Sequence, residues 1–530
     1  MHLPLTPIRC LYRGVDLYGK KEGVVSGERR FTYAQFGERC EQLAAGLLSL
    51  GVKAGDRVAY LSFNTNKLLE GYYGPALIGA IVMPLNVRLT PPELTEILNH
   101  SGASVLIFEN DFAPLVEAFR KACPEIKTYV ATEAAVPQAH LTYEELLTKG
   151  RIDRPDWTTL DENAIAELFY TSGSTGTPKG VALSHRTLYL HALNILATRA
   201  NFDTDVDLHT IPLFHANGWG AAQTATMMGR KQVMVRRFEP TFVLRTIQEE
   251  RATHMALVPV MGNALLNSPD LGKFDASTLK DIILGGAASS PELIERLEKA
   301  FRCDVRVGYG LTETAPMVSQ SRTKDMVSFK DETERLFYMS KAGWPAVGVE
   351  TRVVDSMMKD VPRDGSTMGE IIVRSDNVMD GYFREPQATE AVMTDGWFHT
   401  GDMAVWDDEW VTHIVDRKKD IIISGGENIS SIEVEKAIFA HPAVFECAVV
   451  GAPDATWGEV PAASVVLKPG AALTAEELTA FLEKRLAKFK LPRMIHFSEE
   501  ALPKTGTGKI LKREIRDSLW QGMARKVQGA

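Results

Sequence analysis

The chain has 530 residues, 45% of them hydrophobic and 24% charged, with a formal net charge of -9. That length exceeds what one hydrophobic core sustains and calls for two or more domains, while the ordinary composition excludes disordered and fibrous classes. The acidic balance argues against nucleic acid or an anionic membrane surface as the main partner.

Five cysteines, Cys10, Cys40, Cys123, Cys303 and Cys447, lie far apart with no C-x-x-C pair. This suits a reducing compartment and offers no zinc-site spacing. The opening "MHLPLTPIRCLYRGVDLYG" lacks an apolar signal core, and residues 72–85, the longest apolar run, fall short of the ~20 needed to span a bilayer. The end "KVQGA" has no organelle-addressing tripeptide. A cytoplasmic enzyme is the expectation.

In chain order, "RVAYLSFN" reads as a strand, residues 68–82 as one buried helix, "SVLIFE" as a strand and "LVEAFRKAC" as an amphipathic helix. That alternation predicts a parallel α/β sheet. It is interrupted at residues 170–180 by "YTSGSTGTPKG". Glycines that turn backbone N–H groups inward, hydroxyls and one lysine suit phosphate. The Walker pattern G-x-x-x-x-G-K-[ST] fails here, because counting from Gly173 puts Pro178 at the second glycine and Gly180 at the magnesium hydroxyl. A P-loop NTPase is therefore disfavoured. The bland alternative is a Ser/Thr/Gly turn between two strands.

The alternation then resumes with "HTIPLF", "FVLRTIQEERA", "HMALVP", "LKDIILGG", "SSPELIERLEKAF" and "DVRVGYG", predicting a second α/β layer. "VGYGLTETAP" ends a β run and offers an aromatic (Tyr309), a hydroxyl (Thr312) and a carboxylate (Glu313) suited to stacking, phosphate and oxygen ligation of Mg²⁺. From about residue 342, short runs such as "TRVVD", "GEIIVRS" and "EWVTHIVD" suit a small β subdomain. "GWFHTGD" puts Asp402 after a glycine, as a ribose acceptor or as an ordinary turn aspartate. After "DRKKDIII" a compact unit begins, with helix "SSIEVEKAIFAH", strands "ECAVVGAP" and "ASVVLKP", and helix "TAEELTAFLEKRLAKF". Residues 484–513 set nine basic side chains against Glu499 and Glu500, a positive cap over an anion or a solvated helix face. "LPKTGTGKI" is a second glycine-rich loop, presenting Lys509.

Taken in this order, "YTSGSTGTPKG", "PLFHANG", "GYGLTET", "GWFHTGD", "DRKKDIIISGGEN" and "PKTGTGKI" carry a resemblance over nearly the whole chain. It resembles the adenylate-forming superfamily of acyl-CoA synthetases, nonribosomal peptide adenylation domains and luciferases. The resemblance implies an α/β fold: a large N-terminal domain (1–418) of two α/β subdomains plus a small β subdomain, then a small mobile α+β C-terminal domain (419–530). It implies that Thr171, Ser172, Gly173, Ser174, Thr175, Gly176 and Lys179 hold the β,γ-phosphates of ATP, with Thr171 and Glu313 at Mg²⁺. It implies Thr312 at the α-phosphate, Tyr309 at the adenine face, and Asp402 with Arg417 at the ribose, with Gly310, Gly286 and Ala287 also binding the nucleotide and Gly286 and Ala287 bordering the acyl pocket as well. Lys509 would be the catalytic lysine of the first half-reaction and His215 would lie near the acyl carboxylate. On chemistry alone, His215 equally reads as a core histidine.

Trp219 matches a gate position of fatty acyl members. Gly220, Ala221, Gln223, Gly285, Met317 and Val318 would join it around the acyl chain. Lys419 would be the hinge, with Gly425 and Gly426 lining a coenzyme A tunnel. The implied reaction is carboxylic acid plus ATP to acyl-AMP and pyrophosphate, then transfer to coenzyme A by domain alternation. The small and apolar pocket residues suggest a short to medium aliphatic acid. A luciferase-like oxygenase and an aryl or other acid ligase share every motif. A scaffold would be expected to have lost Lys509, Glu313 or Asp402. A homodimer is left open.

Overall fold

The computed structural model describes residues 3–150, 154–171, 178–198, 202–504 and 510–520. Two compact units emerge: one comprises residues 1–351, 372–399 and 409–412, the other residues 352–371, 400–408 and 413–530.

The first unit holds two α/β sheets. An eight-stranded sheet runs Gly381–Tyr382, Lys179–Ser184, Ile165–Thr171, Ile81–Pro84, Arg57–Leu61, Val105–Phe108, Thr128–Ala131, Leu141–Thr142. A nine-stranded sheet runs Trp344–Pro345, Met317–Gln320, Asp304–Gly310, Asp281–Leu284, His254–Leu257, Val206–His209, Lys231–Met234, Glu22–Ser26, Arg29–Thr32. Central neighbours in both are parallel, and antiparallel pairs sit at the ends. Val105–Phe108 and Asp281–Leu284 are buried at every position, as strands covered on both faces must be.

The helices pack by a stripe. Pro291–Phe301 starts from a Ser290 hydroxyl that accepts the Leu293 N–H, has Pro291 in its first turn, and buries Leu293, Ile294, Leu297 and Phe301. Arg302 ends it at φ 52°. The two-layer expectation is met.

Three local readings are corrected. Residues 68–82 form not one helix but Asn66–Gly71, Gly74–Leu77 and the strand Ile81–Pro84. The breaks fall at glycines: Gly79 takes φ +70°, and a Cβ on Gly71 would stand 2.6 Å from Tyr60 Cζ. A run apolar on all sides has no period from which to read such breaks. The strand expected at "HTIPLF" stops at His209, three residues before Pro212 removes an N–H. The helix expected through Phe489 ends at Leu482, because Glu483, Lys484 and Arg485 extend no buried stripe; a short 3₁₀ turn follows at Lys488–Lys490. Residues 484–513 consequently include that turn and the strand Met494–Ser498, so the solvated-helix-face reading fails.

The second unit is built on a five-stranded sheet, Glu427–Ile429, Ile422–Ser424, Gly458–Leu467, Val444–Asp454, with Met494–Ser498 parallel to Gly458–Leu467.

All five cysteines are free; four are buried and Cys303 is half-buried. Burial pushes their thiols up, Cys303 to about 12. No helix among the described residues is long and apolar enough to cross a membrane.

Leu106 is fully buried in the eight-stranded sheet and packs in a cluster with Phe108, Val116 and Phe119. Leu106→Ala should lower the unfolding free energy by about 2–5 kcal/mol, read from urea midpoints at unchanged slope.

Candidate active site

Strand Ile165–Thr171 ends where the predicted phosphate loop begins, and its return strand places Lys179 opposite Thr171. Ser172, Gly173, Ser174, Thr175 and Gly176 lie outside the described residues. Lys179 Nζ stands 4.9 Å from the centre of the Tyr382 ring. The Tyr382 hydroxyl in turn donates to Glu313 Oε1 at 3.0 Å. One aromatic therefore joins the loop lysine to the carboxylate expected at the metal, though more than two hundred residues separate Lys179 from Tyr382 in sequence. Burial, and then Glu313, push the Tyr382 phenol up, so it stays neutral and remains a donor.

Tyr382 was missed by sequence reasoning. Its signal was Gly381 in "DGYF", a residue at φ +146° where a Cβ would stand 3.1 Å from Thr389. That glycine lets the short strand pair with Lys179–Ser184, matching Tyr382 to Val181.

Glu313 sits on the 3₁₀ turn Thr312–Thr314, just after strand Asp304–Gly310. The Thr314 hydroxyl ties this turn together, accepting from Leu311 N at 3.1 Å. Met379 N donates to the Glu313 carbonyl at 2.8 Å. Gly310 is sterically required, since a Cβ there would lie 1.8 Å from the Pro316 oxygen. Thr312 is buried, whereas Tyr309 and Glu313 are half-buried. Among the described residues no cluster of three or more His, Cys, Asp or Glu could hold a metal. A single carboxylate beside hydroxyls suits a hard cation that arrives on phosphates and keeps most of its other ligands.

Where the acyl side is predicted, Ala216, Asn217, Gly218, Trp219 and Gly220 all take positive φ, one left-handed turn. For Ala216, Asn217 and Trp219 this conformation costs about 1–2 kcal/mol each, least for Asn. His215 precedes the turn and is exposed, which removes the core reading. The Trp219 ring lies over two glycines: a Cβ on Gly285 would be 2.9 Å from its Cη2, and one on Gly286 would be 3.5 Å from its Cζ2. Gly286 and Ala287 are exposed beyond strand Asp281–Leu284. A Cβ on Gly220 would meet His191 Cε1 at 2.4 Å, and His191 Nε2 accepts from Met317 N at 3.2 Å. Ala221 opens the next helix. Met317 and Val318 are buried in their strand.

Gln223 is corrected. Rather than facing an acyl chain, its amide is buried and donates to Glu167 Oε1 at 2.6 Å, while Asn217 donates to Oε2 at 2.9 Å. Asn217 Oδ1 also accepts from Gly220 N at 2.6 Å, so its side chain closes the turn it sits in. Glu167 is fully buried on strand Ile165–Thr171, where burial raises its carboxyl to about 8 against the pull of the two amides. The sequence signal was an acid inside the apolar run "IAELFY".

In the second unit, Asp402 is buried and Arg417 Nε stands 2.9 Å from its Oδ1. Gly401, at φ +70°, donates its N–H to Glu370. Lys419 is exposed between two anchored acids: Asp416 accepts from Ser431 N and Oγ, and Asp420 pairs with Arg516 at 2.6 Å. Gly425 takes φ +60°, and a Cβ there would strike the Trp457 ring at 2.4 Å, whereas Gly426 faces open space. Arg493 stacks 5.4 Å from that tryptophan, a planar cationic surface that the sequence did not reveal. Lys509 lies outside the described residues.

A family model for AMP-binding enzymes matches residues 12–383, and one for the AMP-binding enzyme C-terminal domain matches residues 433–509. The chain belongs to the AMP-binding enzymes. Among these, it is 40% identical to a long-chain-fatty-acid–CoA ligase of Thermus thermophilus, across 96% of this chain and 94% of that one. It is 38% identical to a feruloyl-CoA synthase of an Amycolatopsis species, over 92% and 94% respectively. Of solved AMP-binding structures, the anthranilate CoA ligase AuaEII with anthranoyl-AMP superposes at a TM-score of 0.85 with 27% identity, covering 98% of both chains.

The Glu167 site generates a pH prediction. Its folded value of about 8 exceeds the ordinary 4.5, so between those limits the folded chain keeps a proton that the unfolded chain has lost. Stability from this group is therefore greatest at low pH, falls by up to about 1.4 kcal/mol per pH unit as pH rises, and levels off above its folded value. Urea midpoints measured from about pH 5 to pH 8 should show that slope reduced in Glu167→Gln.

Proposed function

We propose that this AMP-binding enzyme is an acid–thiol ligase that makes acyl-CoA in two steps, with Lys179, Tyr382 and Glu313 at its phosphate end. In the first step a carboxylate oxygen attacks the α-phosphorus of ATP, the bond from that phosphorus to the bridging oxygen breaks, and pyrophosphate leaves. In the second the coenzyme A sulfur attacks the acyl carbon, expels AMP and releases the thiol proton.

The carrying observation is the Lys179 ammonium and the Glu313 carboxylate meeting on the two ends of Tyr382. Charge develops on phosphate oxygens, so a fixed lysine and hydroxyls near Thr171 and Thr312 stabilise it by position. Glu313 and Thr171 would hold Mg²⁺, which when bound neutralises phosphate charge. Tyr382 fixes the rotamer of Glu313 by its hydrogen bond and leaves Oε2 for other ligation. Asp402 and Arg417, as a preformed ion pair, would accept from and donate to a ribose.

Lys509 is proposed to act only in the first step, and Gly425 and Gly426 to serve the second. The hinge is proposed at Lys419, and the domain boundary between residues 418 and 419. Asp420 supports that assignment, since its pairing with Arg516 fixes the backbone just after Lys419 and confines a rotation to few torsions.

For the acid, the open surface of Gly286 and Ala287 beside the Trp219 ring favours a short to medium aliphatic chain. Reduced thiols throughout the chain favour a cytoplasmic site of action.

Pyrophosphate release over a panel of aliphatic and aromatic carboxylates, with and without coenzyme A, tests the reaction. Release that needs no carboxylate, or consumption of oxygen with an acyl adenylate, would overturn it. Tyr382→Phe keeps the ring under Lys179 but loses the bond to Glu313, so kcat/KM for ATP should fall about tenfold and half-saturation by Mg²⁺ should rise. Lys509→Ala should abolish acyl-AMP formation yet spare thioester formation from supplied acyl-AMP; loss of both would sink the two-conformation reading. Lys419→Pro should do the reverse.

A further inference from the structure

We infer that Glu167 is a positioning residue for acyl selection: through Asn217 and Gln223 it holds the left-handed turn that sets the Trp219 ring over Gly285 and Gly286. The inference rests on the reading that Trp219 borders the acyl pocket.

Five successive residues at positive φ do not persist on local preference, because three of them carry a Cβ. Something must over-determine the turn. The side chains that do so are all buried: Glu167, Asn217 and Gln223 are at most 1% exposed. Asn217 reaches in two directions, its amide to Glu167 and its oxygen to the Gly220 N–H. Gln223 holds the other Glu167 oxygen from the first turns of the helix that follows. The two ends of the turn are thereby tied to one carboxyl.

That carboxyl is itself immobile. Glu167 lies on a central strand between Ile81–Pro84 and Lys179–Ser184, matched to Val82 on one side and Leu183 on the other. A bulge between Ile165 and Glu167 shifts the register there, a device that re-aims a side chain. Gln223 Oε1 has no hydrogen-bond partner as placed. With the amide turned over, that oxygen accepts a hydrogen bond from the O–H of a neutral Glu167 carboxyl, and the clamp closes in either protonation state. Trp219 sits between Asn217 and Gly220, inside the clamped segment. Loosening the clamp frees the ring to leave the glycines, and the space it defines changes shape.

Four variants test this: Glu167→Gln, Glu167→Leu, Asn217→Gly and Trp219→Ala. Asn217→Gly keeps a residue at ease at positive φ while deleting the side chain, so it separates positioning from folding. The measurement is kcat/KM over straight-chain acids of about four to sixteen carbons, with KM for ATP alongside. In Asn217→Gly and Glu167→Leu the ratio between the longest and the preferred acid should shift at least about tenfold, with KM for ATP within about twofold. Glu167→Gln, which supplies one donor and one acceptor like the neutral acid, should keep the wild-type profile within about threefold.

If Trp219→Ala alters the profile while Asn217→Gly and Glu167→Leu only scale all acids down together, Glu167 is merely structural and the inference falls alone. If Trp219→Ala itself leaves the profile unchanged, the pocket reading falls and takes the inference with it.

Discussion

The antiparallel pairing of Ile165–Thr171 with Lys179–Ser184 governs the rest of the first unit's site. A hairpin at the end of a parallel sheet turns the chain back on itself, so Thr171 and Lys179 meet with only seven residues between them. The return strand then accepts Gly381–Tyr382 as its other neighbour, which brings Tyr382 to Lys179 and to Glu313. The outgoing strand carries Glu167 four residues before Thr171. A slip of one residue in this pairing would reverse which side chains face the core and separate these groups at once.

Much of this was legible in the sequence because the residues involved are chemically conspicuous. "VGYGLTETAP" reads as a β run that ends by offering Thr312 and Glu313 to ligands, and the structure adds that position 310 is too crowded for a Cβ. The two-layer alternation was legible for the same reason, since buried parallel strands are short and apolar throughout. Tyr382 was not legible, because its role comes from strand pairing across some two hundred residues. Glu167 was passed over in the sequence, where it is one acid inside "IAELFY"; only folding identifies Asn217 and Gln223 as its partners. Gln223 was misjudged for that reason, as nearness to a pocket in sequence does not say which way a helical side chain points.

The second unit follows a different logic. Its core is a small sheet with Ile422, Val449, Val465 and Leu482 at zero exposure, but its joints are polar. Asp416 caps the helix Ser431–Phe439, Lys512 reaches Glu435 at 2.8 Å, and Arg516 reaches Asp420. Hydrogen-bonded charge of this kind fixes one geometry more sharply than it adds stability. Such joints suit a segment whose orientation matters.

The placement of the cysteines has a chemical consequence of its own. An acyl adenylate is a mixed anhydride, and any thiolate within reach would intercept it. Here burial, helped by neighbouring carboxylates, disfavours the ionised form of the protein's own cysteines. The chain's cysteines are thereby made poor nucleophiles toward the acylating agent it handles. A thiol delivered by the second substrate meets no such penalty.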